Sequence, residues 1–169
     1  MQEIISKNNP DLIIETGTSN GGSALYLADI SEPNSKVISI DTIHRDGIPQ
    51  HDKITYICGS SLSDITLGEI GHIIKKNKFK RIMVLLDSIH LKYWVKAELD
   101  IYSGFVSKGQ YLIVEDTNLN RHPVLTRPTA HGPWEAVHEW IKKNPEFIDI
   151  SCEKFGFSFN PDGYLLRVQ

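Results

Sequence analysis

Two short polar motifs carry the side chains best suited to chemistry in this 169-residue sequence. Asp87 and His90 stand three positions apart after one apolar run, and Glu115 and Asp116 stand side by side after another. If the two runs are neighbouring strands, three carboxylates come together, and that much negative charge is costly unless a cation compensates it. Carboxylate oxygens favour Mg²⁺, Ca²⁺ or Mn²⁺ over zinc. His90 could serve there as a general base, because imidazole titrates near neutral pH, or it could simply cap or flank a helix.

A glycine-containing turn follows the first apolar run of the chain. Glu15, Gly17 and Gly21 belong to the pattern E-x-G-x-x-x-G-G, which differs from the dinucleotide pattern G-x-G-x-x-G, and the sequence has no P-loop G-K-[ST]. An acid before such a turn suits a nucleoside with a positive or zwitterionic tail. Asp41 ends the next apolar run, where an acid accepts hydrogen bonds from ribose hydroxyls. The alternative is a turn that only starts a helix and needs glycine for its geometry.

Short apolar runs alternate with helical patterns through most of the chain, which favours a parallel, doubly wound α/β sheet with helices on both faces. The predicted strands are 11–15, 36–41, 53–58, 81–87 and 109–115, and the predicted helices are 20–30, 63–75 and 91–105. A further helix is expected to begin at Pro133, since proline is tolerated at the first helical position. Two extended segments, 147–153 and 155–168, then predict a C-terminal antiparallel hairpin, with a turn at N-P-D-G.

The composition is that of one globular domain, expected over residues 1–169. The sequence has 18 Lys and Arg against 21 Asp and Glu, which gives a formal net charge of −3. This balance lacks the excess of basic residues typical of a nucleic-acid-binding domain. No apolar run approaches the length of about 20 residues that a membrane helix needs, and no signal-peptide pattern is present. Two cysteines, Cys58 and Cys152, are expected to be reduced core thiols in a cytoplasmic protein.

The polar segment after Asp116 is expected to form a loop of about 15 residues that covers the pocket. Its Arg121, His122 and Arg127 would contact an acceptor or be solvated. Trp134 and Trp140, at helical spacing, are expected to pack in the core.

Six segments together make the sequence resemble the cephalosporin hydroxylase-like family of S-adenosylmethionine-dependent methyltransferase folds, which includes rhamnosyl O-methyltransferases. The segments, in chain order over nearly the whole sequence, are IIETGTSNGGSALYLA, VISIDT, LLDSIH, YLIVEDTN, GPWEAVHEW and EKFGFSFNPDGYLLRV. The D-x-x-H and E-D motifs are also similar to those of metal-dependent sugar O-methyltransferases that act on macrolides. The resemblance implies a Rossmann-like class I fold with a mostly parallel seven-stranded sheet, and an N-terminus shorter than that of many relatives.

The resemblance also implies roles for particular residues. The implied S-adenosylmethionine site comprises Glu15, Gly17, Thr18, Gly21, Ser23, Asp41, Ser60 and Asp87. The implied Mg²⁺ ligands are Asp87, Glu115 and Asp116, and His90, with Asp87, would carry the catalysis as the base.

The resulting hypothesis is an S-adenosylmethionine- and Mg²⁺-dependent O-methyltransferase acting on a hydroxyl of a sugar, a glycan or a polyhydroxylated natural product. Two alternatives stay open: a hydroxylase-associated member of the family, and a non-catalytic cofactor-binding partner subunit. The expected partner is a small-molecule or glycan acceptor, without nucleic acid or membrane insertion, and a homo-oligomer is possible by resemblance.

Overall fold

The computed structural model describes residues 1–43, 45–125, 131–150 and 158–169. The chain divides into two compact units, residues 1–83 and 84–169, with the boundary inside one strand. The expectation of one domain over residues 1–169 stays a prediction.

Seven strands lie within the described residues: β1 (Leu12–Thr16), β2 (Lys36–Asp41), β3 (Ile54–Cys58), β4 (Ile82–Leu86), β5 (Tyr111–Val114), β6 (Phe147–Asp149) and β7 (Tyr164–Arg167). The helices there are α1 (Gln2–Asn8), α2 (Gly22–Ile30), α3 (Asp64–Asn77), α4 (Lys92–Tyr102) and α5 (Pro133–Trp140), followed by a 3₁₀ turn, Ile141–Lys143. In this part of the chain, every helix is too short or too polar to span a membrane.

The strands form a mixed sheet in the order β3-β2-β1-β4-β5-β7-β6. The β1–β2, β2–β3 and β4–β5 pairs are parallel, whereas β7 pairs antiparallel with both β5 and β6. The predictions of a mostly parallel seven-stranded sheet and a C-terminal antiparallel hairpin are therefore confirmed. Residues 151–157, which both extended segments of the predicted hairpin include, lie outside the described residues.

In the first unit, burial falls from the middle of the sheet to its edge. All five residues of β1 are buried, which explains its continuous apolar run, whereas β3 is an edge strand and buries only Ile57. Helix α3 begins after Ser63, whose side chain accepts a hydrogen bond from the Thr66 backbone N–H and so caps the helix. Ile70 of α3 is buried, whereas Ile65, in the first turn of the same helix, is 85% exposed.

In the second unit, α4 and α5 pack together beside strands with buried apolar side chains. Helix α5 begins at Pro133, as predicted. Trp140 is buried at its end, and the Trp140 indole N–H donates to Asp100 Oδ1 at 2.9 Å. This bond satisfies the one polar atom of a large apolar side chain, so the core position predicted for Trp140 is confirmed.

Candidate active site

The glycine turn after β1 depends on two residues with positive φ. Gly17 has φ 96° and donates its N–H to the Ile40 carbonyl at 2.8 Å, while Gly21 has φ 75° and caps α2. A Cβ on Gly21 would lie 2.9 Å from Pro49 Cδ and 3.1 Å from the Tyr56 hydroxyl. Glycine is therefore required at position 21 for both backbone conformation and packing.

Glu15 is completely buried at the start of this turn. The Ser39 hydroxyl donates to Glu15 Oε2 at 2.5 Å, and Thr18 Oγ1 lies 2.7 Å from Ser39 Oγ. A buried carboxylate is tolerated only when such hydrogen bonds replace water. The Glu15 side chain thus anchors the beginning of the turn to β2.

Asp41, at the end of β2, holds the same turn from the other side. Its Oδ2 accepts the Ser19 backbone N–H at 2.9 Å, and its Oδ1 accepts the Ile43 N–H at 3.1 Å. Each carboxylate oxygen keeps a further lone pair after these bonds, so the group can still accept hydrogen bonds from a ligand.

A cavity of about 310 Å³ opens beside Asp41. Its lining comprises Thr18, Ser19, Asp41, Ile43, Arg45, Ile48, Gln50, Ile54, Tyr56, Ile57 and Cys58. Four isoleucines form apolar walls, and the carboxylate stands among them as an acceptor. This combination suits a flat apolar ring joined to a hydroxylated one, and the volume lies at the lower end for ligand pockets.

The residues that resemblance assigns to the cofactor fall into three groups in the first unit. Thr18 and Asp41 line the cavity, and Gly17 and Gly21 shape the turn. Glu15, Ser23 and Ser60 lie outside its lining: Ser23 is half-buried in the first turn of α2, and Ser60 accepts the Leu62 N–H at 3.3 Å. Their part in cofactor binding stays a prediction.

The prediction of a core thiol at position 58 is wrong. Cys58 is exposed, and its Sγ lies 3.8 Å from the Thr42 carbonyl oxygen, at the mouth of the cavity. The strand pairing could have located it, because β2 and β3 are parallel and Asp41 is the register partner of Cys58. Cys152 lies outside the described residues.

The second unit brings the D-x-x-H and E-D motifs together. Strands β4 and β5 are parallel neighbours with Leu86 opposite Val114, so Asp87 and Glu115 follow at the same edge. The Glu115 backbone N–H donates to the Leu86 carbonyl at 2.9 Å, which continues the ladder into the motif. The predicted adjacency of these strands is therefore confirmed.

His90 lies between two carboxylates. Its Nε2 is 3.3 Å from Asp87 Oδ1, and its Nδ1 is 3.3 Å from Asp116 Oδ2. One ligand atom from each of Asp87, His90 and Asp116 lies within 4.8 Å of the others, and all three side chains are half-buried. Two carboxylate oxygens and an imidazole nitrogen at this spacing fit a divalent cation.

Glu115 stands apart from that group of three. Burial raises the pKa of Glu115, a hydrogen bond with the Asn160 side chain opposes the rise, and the neighbouring charge of Asp116 adds to it. The predicted ligand set of Asp87, Glu115 and Asp116 stays a prediction, while the distances group His90, rather than Glu115, with Asp87 and Asp116.

A stack of three rings covers the start of α5. The His122 ring stacks on Trp134 with centroids 4.1 Å apart, and Trp134 stacks on His138 at 3.7 Å. Asp162 Oδ2 lies 2.9 Å from both Trp134 Nε1 and His138 Nε2, and the bond with His138 lowers the pKa of Asp162. Trp134 is thus only half-buried between two imidazoles, so the core position predicted for it is wrong.

Glu135 joins the loop to α5. Its Oε2 accepts the Gly132 N–H at 2.7 Å, and its Oε1 lies 3.2 Å from His122 Nε2 and 3.5 Å from His131 Nδ1. Burial alone would raise the pKa of Glu135, but the bonds from Gly132, His122 and His131 outweigh it and hold the pKa at about 2. His122 is therefore partnered rather than simply solvated; Arg121 is exposed, and Arg127 lies outside the described residues.

A pH-dependent loss of stability is expected from this carboxyl. Because the folded pKa of about 2 lies below the ordinary value of 4.5, ionised Glu135 stabilises the fold above pH 4.5, and this contribution is lost as the pH falls toward 2. Near pH 5.5 the melting temperature of the wild type should be about 2–4 °C higher than that of Glu135→Gln, and this difference should shrink toward pH 2.5. Thermal unfolding monitored by circular dichroism measures it, and a margin that does not change over this pH range would contradict the assignment.

Comparison with known structures places the fold in a class. MycE methyltransferase from the mycinamycin biosynthetic pathway, in complex with Mg, SAH and mycinamycin VI, matches with a TM-score of 0.67 and 14% identity, over 99% of this chain and 47% of that one. A putative caffeoyl-CoA O-methyltransferase from Staphylococcus aureus matches with a TM-score of 0.63 and 18% identity, over 97% of this chain and 78% of that one. The chain thus spans slightly less than half the length of the MycE chain. Its fold is the Rossmann-like fold of class I methyltransferases.

Sequence comparison then identifies the family. A family model described as Rhamnosyl O-methyltransferase/CmcI matches residues 1–168. The rhamnosyl O-methyltransferase of Mycobacterium leprae (strain TN) is 38% identical over 176 residues, covering 98% of this chain and 75% of the relative. That of Mycobacterium bovis (strain BCG / Pasteur 1173P2) is 35% identical over 174 residues, covering 98% and 71%. The chain belongs to the rhamnosyl O-methyltransferase/CmcI family, so the predicted family and the prediction of a methyltransferase-family enzyme are confirmed.

Proposed function

We propose that this protein transfers a methyl group from S-adenosylmethionine to a hydroxyl of a sugar, a glycan or another polyhydroxylated acceptor, with a divalent cation such as Mg²⁺ at the active site. The observation that carries the proposal is the convergence of Asp87, His90 and Asp116 at the ends of two neighbouring parallel strands. Acceptor hydroxyls bind hard cations, and the curated relatives are named for methylation of a rhamnosyl group.

His90 lies between Asp87 and Asp116, the two residues that would hold the cation. Their hard donor atoms lie close enough together to share one ion, and the paired negative charges call for a positive one. When bound, a divalent ion lowers the pKa of a coordinated hydroxyl and fixes its position.

His90 is the proposed general base. A ring nitrogen of His90 would take the proton from the acceptor hydroxyl, and the resulting oxyanion would attack the methyl carbon of the sulfonium. Asp87 and Asp116 each lie 3.3 Å from one ring nitrogen, so they orient the imidazole and stabilise the imidazolium that forms. When bound, S-adenosylmethionine would supply the methyl group: its carbon–sulfur bond would break as the new carbon–oxygen bond forms, and sulfur would retain the electron pair.

The cavity beside Asp41 is the proposed site for the nucleoside of the cofactor. The Asp41 carboxylate, anchored by two backbone N–H groups, would accept hydrogen bonds from the ribose hydroxyls. Ile43 and the other isoleucines would enclose the adenine. The tight packing at Gly21 keeps the turn against this cavity.

Transfer of a labelled methyl group tests the proposed function. The protein is incubated with S-adenosyl-[methyl-¹⁴C]methionine and a panel of rhamnosides, other glycosides and non-sugar polyols, with Mg²⁺ or with EDTA. Label should enter a glycoside, and EDTA should remove the activity until Mg²⁺ is restored. Transfer that EDTA does not affect would remove the cation from the proposal, and cofactor binding without transfer to any acceptor would favour a non-catalytic subunit.

Alkylation of Cys58 tests the location of the cofactor independently of activity. The thiol is exposed beside the cavity, so a bound nucleoside should shield it from iodoacetamide. With S-adenosylhomocysteine at 100 times its Kd, about 1% of sites stay open, and the reaction should slow by up to about 100-fold. Peptide mass spectrometry in a Cys152→Ser background measures the rate. An unchanged rate at saturation would place the cofactor elsewhere.

A further inference from the structure

The N-P-D-G turn, residues 160–163, lies against the end of β5 on both sides of the E-D motif. Before the motif, the Val114 backbone N–H donates to the Gly163 carbonyl at 2.9 Å. After it, the Thr117 hydroxyl donates to the Pro161 carbonyl at 2.6 Å. The two bonds attach the turn to the residues on either side of Glu115 and Asp116.

Gly163 allows this close approach. A Cβ at position 163 would lie 2.4 Å from the Val114 carbonyl oxygen and 3.2 Å from Thr117 Cγ2. Because a backbone oxygen cannot move aside cheaply, any side chain at Gly163 would push the turn away from β5. The turn and the E-D motif therefore have little freedom to shift relative to each other.

One carboxamide in the turn contacts both acids. Asn160 is buried, and its Oδ1 accepts the Asp116 backbone N–H at 2.9 Å. The same side chain hydrogen-bonds to the Glu115 carboxyl, and only the amide nitrogen can donate to the ionised form of that group. The Tyr164 hydroxyl lies 3.4 Å from Asn160 Nδ2. Asn160 thus contacts both acids of the E-D motif through one side chain.

The contact with Asp116 bears on an unusual backbone conformation. Asp116 has φ 57°, in the left-handed region that residues with a side chain adopt only rarely. Strain of this kind persists only where surrounding bonds enforce it. The Asp116 N–H bond to Asn160 is such a bond, and in this conformation the Asp116 carboxylate lies 3.3 Å from His90.

We infer that Asn160 is a positioning residue for the cation site: it holds Glu115 and the Asp116 backbone so that the Asp116 carboxylate meets Asp87 and His90. The inference rests on the proposed function, because it assigns the purpose of that arrangement to cation binding. Asn160 itself need not touch the cation. Loss of such an outer contact typically lowers metal affinity by about 10–100-fold.

The same turn provides a matched control. Asp162 reaches α5 instead of the acids, since its carboxylate bonds to Trp134 and His138. A turn that serves stability alone predicts similar effects of Asn160→Ala and Asp162→Asn. A positioning role for Asn160 predicts that Asn160→Ala alone changes the cation site.

The test measures two properties of the full chain without any acceptor. Titration calorimetry with Mn²⁺ gives the dissociation constant, and hydrogen exchange followed by NMR gives the protection of the Asp116 amide. Asn160→Ala should weaken Mn²⁺ binding by about 10–100-fold and expose the Asp116 amide. Asn160→Asp keeps an acceptor oxygen at the same place and should retain protection of that amide. Asp162→Asn should change neither property, even if its melting temperature falls.

The outcomes separate this inference from the proposed function. If the wild type binds Mn²⁺ and Asn160→Ala binds it equally well, the positioning role is wrong while the cation site stands. If Asp162→Asn weakens binding as much as Asn160→Ala, the turn acts through stability and the specific role of Asn160 is wrong. If the wild type binds no Mn²⁺, the cation in the proposed function fails, and this inference fails with it.

Discussion

Replacement of His90 by alanine is expected to lower the rate of methyl transfer by about 10²–10⁴-fold, the contribution of a positioned general base. The imidazole lies between Asp87 and Asp116, each 3.3 Å from a ring nitrogen, and the substitution removes it. His90 is not among the residues that line the cavity proposed for the cofactor, so S-adenosylmethionine binding should be unchanged. Initial rates with the labelled cofactor and calorimetric titration of the cofactor measure the two properties.

The same variant separates the two roles open to His90. If His90 is only a base, its removal should lower the rate and leave Mn²⁺ affinity unchanged. If His90 is a ligand, its removal should lower both the rate and the Mn²⁺ affinity. His72→Ala, on the exposed surface of α3, is the control for general effects of removing an imidazole. Full activity in His90→Ala would remove His90 from the mechanism.

Replacement of Asp116 by asparagine is expected to weaken Mn²⁺ binding and methyl transfer by about 100-fold or more, since this residue supplies a charge and a ligand atom to the group of three. Asparagine has nearly the same shape and tolerates the left-handed region, where Asp116 has φ 57°. The variant should therefore fold with a melting temperature close to that of the wild type. Calorimetry, rate measurements and thermal unfolding in EDTA test this combination.

Glu115→Gln is the matched comparison for Asp116→Asn. Resemblance assigns both acids to the cation, which predicts losses of similar size. The geometry groups only Asp116 with Asp87 and His90, which predicts a smaller loss for Glu115→Gln. If Asp116→Asn leaves both cation affinity and activity intact, the three side chains do not form the cation site.

Much of the fold could be predicted because the strands in the middle of the sheet are buried on both faces. Strand β2 has the predicted bounds, and β1 and β4 differ from the predicted bounds by one residue at each end. Helix α1 was not predicted, since its seven residues bury only Ile4 and Ile5 and show no helical repeat. Local sequence patterns therefore identify an element when several of its residues are buried in a regular pattern.

The errors in the core have a common cause. Cys58 is apolar enough for a core position, but β3 is an edge strand and leaves it exposed. Ile65 is apolar but is 85% exposed at the start of α3, because the buried face of that helix carries Thr66 and Ile70. Burial depends on which surfaces cover an element, and that is a property of the assembled chain.

The chemistry-bearing residues of the site could be found in the sequence, because carboxylates and an imidazole after strands are visible as motifs. Asn160 was seen only as part of a turn, since its contact with Asp116 joins positions 44 residues apart. The Glu135 cluster was missed for a related reason: its contact with His122 joins positions 13 residues apart.

The amino-acid sequence by itself determined the family, the alternation of strands and helices, and the identity of the acids and the histidine, since all of these are written in local patterns of burial and residue type. The tertiary structure alone decided that His90 lies between Asp87 and Asp116, that Glu115 stands apart, and that Asn160 reaches both acids of the E-D motif. Parallel pairing of β4 and β5 and the return of the chain through β7 create these contacts, and distances of a few ångströms between remote residues follow only from that packing.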